Sequence, residues 1–161
     1  MPHDTPSCSP AQRGTPVAAL GLDAHERAVL DILRHYCVSF AAPAREGWVT
    51  AIRAALDAFG EARGPHVAVA ALAALQVLRR TRASGFRFNT PDCPDCAGFV
   101  TGHERLLIAA LRAAAAGRDE AARAHADLLC EGNGGGRVAA ALSVLAETAR
   151  VRAPAPVSDP A

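Results

Sequence analysis

The chain contains no lysine: all 17 of its basic residues are arginine, which we read as the imprint of a GC-rich coding sequence rather than a selected property. Aromatic residues make up 4% of the 161 positions, with one Trp and one Tyr. A strand-rich fold, which draws on aromatic and β-branched side chains, is therefore disfavoured. No apolar run approaches the roughly 20 residues needed to cross a bilayer. The longest, Val67 to Leu75 continuing past Gln76 to Leu78, reads as a core helix. The first residues lack the basic and long apolar regions of a secretory leader, so a cytoplasmic location is expected. A net charge of +1 argues against a broad nucleic-acid or acidic-membrane surface. Five cysteines, an odd number with one close pair, do not form the pattern of a secreted disulfide framework.

What remains is an Ala- and Leu-rich chain, half hydrophobic, of a length that fits one domain with a core of its own. The expected fold is all-α, a single-domain bundle of about six helices. A disordered lead-in is expected over 1–20, rich in Pro, Ser and Thr, and a disordered Pro-containing tail over 152–161. The helical domain between them, 21–151, carries a CxxC loop at 89–103.

Two capping boxes mark helix starts, Asp23 to Glu26 and Thr101 to Glu104, in which the first side chain and the fourth exchange bonds with each other's backbone N–H. From the first, Val29, Leu33, Tyr36, Cys37 and Phe40 share one apolar face, while Glu26, Arg27, Asp31 and Arg34 point elsewhere. Cys37 is expected as a small buried hydrophobe, with His25 and His35 solvated. Pro43 suits the first turn of a second helix ending at Gly60, with Trp48, Ile52, Ala55, Leu56 and Phe59 inward and Trp48 a core anchor. After Gly64-Pro65 a third helix runs to Arg82, apolar nearly all round and therefore central. Leu106, Leu107, Ala110 and Leu111 give the helix after Thr101 its core face. Leu128 and Leu129 are expected inward on the next, and Val138, Ala141, Leu142, Leu145 and Ala149 on the last. No internal repeat of fixed period is convincing.

The chemistry lies in Asn89-Thr-Pro-Asp-Cys93-Pro-Asp-Cys96-Ala-Gly-Phe-Val-Thr101-Gly-His103-Glu104. Two thiols three residues apart and an imidazole at a helix start are part of a transition-metal site. Helix arithmetic suggests a fourth ligand: two antiparallel helices joined by a very short turn bring Cys130 back level with His103. The expectation is a closed Zn2+ site of Cys93, Cys96, His103 and Cys130, structural rather than catalytic. His125 competes as the nitrogen ligand, and Cys8, in the lead-in, reads as an incidental thiol. An iron-sulfur cluster on these residues lacks any ferredoxin spacing.

The rival reading is a metal- or thiol-dependent enzyme or redox sensor using Cys93 and Cys96, although no strand-helix-strand pattern surrounds the pair. The His-x-Glu and Pro-Cys-x-x-Cys of zinc deaminases are not reproduced, since the order is reversed and Glu104 follows His103 directly. Arg79, Arg80, Arg82 and Arg87 with Phe86 and Phe88 form a small basic-aromatic cluster that would suit nucleic acid, against which stands the ordinary role of cations at a helix C-terminus. Gly132 to Arg137 matches neither GxGxxG nor a P-loop. The expected function is a non-catalytic regulatory or interaction module with a protein partner.

Overall fold

The computed structural model describes residues 14–150. It is an all-α bundle of about six helices with one very small sheet. Strand β1 is Thr15–Pro16, followed by a 3-10 turn at Val17–Leu20. Helix α1 spans Ala24–Ala41; a second 3-10 turn at Pro43–Arg45 leads into α2, Gly47–Thr81. The one-turn helix α3, Pro94–Ala97, and strand β2, Phe99–Val100, precede α4, Gly102–Ala115; α5 is Asp119–Leu129 and α6 is Gly135–Ala149. Both expected capping boxes form, Asp23 with Glu26 and Thr101 with Glu104.

Helix α2 packs on α1 and α6, and α4, α5 and α6 pack on one another. Their shared core holds Ile32, Leu33, Tyr36, Cys37, Phe59, Val67, Leu75, Leu78, Leu107, Leu111, Leu129, Leu142 and Leu145. A second, smaller core of Val17, Leu30, Val100 and Ile108 lies under the sheet. Residues 15–20 are thus part of the fold rather than of a lead-in: β1 pairs antiparallel with β2, Thr15 opposite Val100, and Val17 is 2% exposed. Cys8 and the expected C-terminal tail lie outside the described residues.

Several expected faces are turned. Gly47–Thr81 is two helical arms joined at a kink at Gly60, whose φ of 75° suits glycine; the first arm ends there as expected, but the second begins at once and runs through Gly64-Pro65. Pro43 heads a 3-10 turn, not the helix. On the first arm of α2, Gly47, Ala51, Ala55 and Phe59 are buried, whereas Trp48 is 51% exposed and Ile52 is also at the surface. The reason is proximity. A Cβ on Gly47 would collide with the His35 carbonyl of α1, so this face packs closest against α1 at its start, where Gly47 and Ala51 lie, and has room for Phe59 only at its far end. Trp48 therefore sits on the open side, its backbone N–H donating to Ser39 Oγ at 2.7 Å. Leu128 is likewise outward at 68% exposed, and Leu129 alone is buried. On the second arm Val69 is exposed, so that arm is not apolar-covered all round.

The largest departure is electrostatic. Glu26 and Arg34, expected away from the core, are 4% and 2% exposed. Each finds its partner on α4: Arg112 Nε donates to Glu26 Oε1 at 2.6 Å, and Arg34 Nε donates to Glu104 Oε1 at 2.7 Å. The two capping-box glutamates are thus also the anchors by which α1 and α4 hold one another.

Candidate functional site: the Cys93/Cys96 loop

The loop hangs between Asn89 and Thr101, and one carboxylate holds both ends. Glu104 Oε1 accepts from the Asn89 backbone N–H at 3.2 Å and Glu104 Oε2 from that of Thr101 at 2.8 Å. Arg34 fixes the middle. Its Nη1 donates to the Ala97 carbonyl at 2.8 Å, and its Nη2 to the Phe99 carbonyl and to Glu104 Oε2, the last at 3.2 Å. A guanidinium with every edge engaged and a carboxylate accepting four bonds can both be buried, since each polar atom has a partner. The Asn89 side-chain amide donates to the Phe99 carbonyl at 2.8 Å, and Val17 N–H to the Gly98 carbonyl, also at 2.8 Å.

Within this frame Cys93 is the N-cap of α3, Pro94 takes the first helical position, and Cys96 is buried one turn on. The Sγ atoms of Cys93 and Cys96 are 2.8 Å apart. Cys93 is a free thiol, and Cys96 is disulfide-bonded. The chain therefore holds a thiol against a sulfur already in a disulfide, on a loop whose backbone is pinned by a buried ion pair.

His103 and Cys130 have partners of their own. His103 Nδ1 accepts from the Arg87 backbone N–H at 2.9 Å, and its ring stacks at a tilt on Phe86. That acceptor role fixes the proton of the neutral ring on Nε2. Burial, then the nearby Arg82 and Arg87 charges, holds the His103 pKa below its ordinary value. Cys130 caps the C-terminus of α5, fully buried, and burial pushes its thiol pKa up. Both residues feel the same pair of charges, Arg82 and Glu131. Among the described residues, however, no group of three or more His, Cys, Asp or Glu side chains lies together so as to hold a metal ion. His125 Nδ1 is buried and makes no hydrogen bond to a described residue.

No family model, curated protein or solved structure matches the chain.

The Arg cluster is divided by the fold. Arg79, Arg80 and Arg87 are exposed, but Arg82 is buried and engaged: it donates to the Leu129 carbonyl, to Ser84 and to Glu131. Glu131 in turn is held below the usual carboxylate range, chiefly by the Ser84 hydroxyl. Three of the residues that matter most here, Arg34, Glu26 and Arg112, carried no warning in apolar periodicity. A signal did exist. His25-Glu26-Arg27 with Leu33-Arg34 recurs as His103-Glu104-Arg105 with Leu111-Arg112, the arginine eight positions after the glutamate in both. This is the repeat that a search for a fixed period passes over.

Proposed function

We propose that the chain is a non-catalytic helical module regulated by thiol-disulfide exchange at Cys93 and Cys96, read out by a protein partner. The observation that carries this reading is the free Cys93 Sγ 2.8 Å from the disulfide-bonded Cys96 Sγ. In the exchange, the Cys93 thiolate attacks Cys96 Sγ and a Cys93–Cys96 bond forms. The existing bond at Cys96 breaks, and its electron pair leaves on the other sulfur as a thiolate. One disulfide replaces another, so no outside oxidant enters. The role of the Arg34–Glu104 pair is to keep the loop backbone in place while the sulfurs change partner.

The test is peptide mapping by mass spectrometry of the full chain, without added reductant and after equilibration across glutathione ratios. Exchange predicts Cys96 bonded to Cys93 in part of the range and to a different cysteine in another part. A single pairing throughout overturns it.

A second reading is the Zn2+ clasp of Cys93, Cys96, His103 and Cys130. It rests on the Cys93 and Cys96 sulfurs, 2.8 Å apart, a pair that a soft divalent ion takes once both are reduced to thiolates. Elemental analysis of protein purified without added metal separates the two. Near-stoichiometric zinc, lost with fold stability in Cys130→Ala, supports the clasp; absence of zinc supports exchange.

A further inference from the structure

The last turns of α1 and of α2 and the stretch at 85–88 line an open cavity of about 290 Å3. Its walls include Cys37, Phe40, Leu75, Leu78, Phe86 and Phe88. These side chains are apolar, and the thiol among them is neutral, since burial pushes the Cys37 pKa up to about 12. One charge stands on the lining, Arg79. Its guanidinium lies over the Phe40 ring, 4.0 Å from the centroid, and its hydrogen bond is to Gln76 Oε1 at 3.4 Å, a long one. The other arginines around the core, Arg34, Arg82 and Arg112, each have a glutamate; among the described residues Arg79 has no carboxylate partner.

An apolar cavity with a single polar group at a fixed place is the general form of a small-molecule site. Here the polar group is a guanidinium, which takes a carboxylate through two parallel N–H donors. One such cation beside apolar walls does not suit a nucleotide or a polyphosphate, which needs several donors. We propose that this cavity binds a small amphipathic monocarboxylate, its alkyl or aryl body against Phe40, Phe86, Phe88 and Leu75 and its carboxylate on Arg79. The reading stands apart from exchange at the sulfurs and uses none of the same side chains.

Titration calorimetry of the full chain with octanoate and with 3-phenylpropionate tests it, with octanol as the uncharged control. Saturable binding of either carboxylate is expected, at least tenfold weaker in Arg79→Gln, whereas octanol binds weakly and equally to both proteins. Gly85→Leu is the second variant. Gly85 lines the cavity, and a Cβ there meets nothing within 4 Å, so a bulky side chain can be added at the rim without a backbone clash. It should abolish binding while thermal unfolding stays close to that of the parent. No saturable binding of either carboxylate overturns the proposal. So does an affinity unchanged in Arg79→Gln, or one unchanged in a folded Gly85→Leu.

Discussion

Glu26 and Glu104 do the same local job at the starts of α1 and α4, and each is met by an arginine from the other helix. Each arginine also donates to two carbonyls in the segment that leads into its partner's helix. Arg112 reaches the Leu20 and Gly21 carbonyls, and Arg34 those of Ala97 and Phe99. The surroundings differ. Arg112 is 22% exposed against 2% for Arg34. Glu104 has one bond with no counterpart at Glu26, the Asn89 backbone N–H, and it is this bond that gathers the CxxC loop. One motif thus serves twice, once as a wet tie between helices and once as a dry mount for the sulfurs. Solvent is what separates the two in energy, because an ion pair gains most from a partner where water cannot replace it.

Breaking the dry clasp should have the largest effect. Arg34→Met leaves Glu104 buried without its cation, a loss of about 3–5 kcal/mol for a buried pair cut on one side. Urea denaturation measures it, and hydrogen exchange should show the Asn89 and Thr101 amides losing protection together. The matching cut, Arg112→Met, should cost about 1–2 kcal/mol, between the exposed and the buried limits. Equal costs for the two variants would remove the distinction drawn between the clasps.

The same pair of variants sharpens the chemistry. In the native chain at mildly alkaline pH, iodoacetamide should modify Cys93 well before Cys37 or Cys130, both buried and with raised pKa values. Arg34→Met should speed modification of Cys93 by freeing its loop, and Arg112→Met should leave it near the native rate.

A smaller effect is expected from pH. The His103 pKa is lowered from 6.5, so the folded chain favours the neutral ring that accepts from Arg87 N–H. The corresponding stability is complete above pH 6.5 and is lost as the pH falls through the lowered folded value. Thermal melts between about pH 7 and 5 should show this loss, and His103→Gln should lessen it. The smallest change lies away from both clasps: Trp48→Ala, on the open side of α2, should shift stability by no more than about 0.5 kcal/mol.

Helix starts were legible because they depend on three or four neighbouring residues, and both capping boxes form as their spelling dictates. Spacing alone gave most of the buried stripe of α6 and one of the two buried faces of α1, Phe40 and Ala141 lying at the half-buried edges, while Leu30, Ile32 and Val38 of α1 are buried beyond the expected stripe. The face of the first arm of α2 was not. Periodicity there fits two stripes, and Trp48 with Ile52 outweighs Ala51 with Ala55 in apolar content, yet close approach to α1 selects the smaller pair. Within the candidate site, Cys93 and Cys96 were legible as neighbours because three residues of chain cannot separate them far. Their mount was not, because Arg34 lies 70 positions from Glu104.

By itself the sequence determined an all-α class, the two helix starts marked by capping boxes and the nearness of the two loop thiols, all consequences of short-range backbone geometry and composition. The tertiary structure decided which charges go inside. A lone arginine in a helical stretch reads as solvent-facing, since burying it unpaired is prohibitive; only when the fold brings Arg34 of α1 within reach of Glu104 of α4 do the two complete each other's bonds and hold the loop that carries the sulfurs.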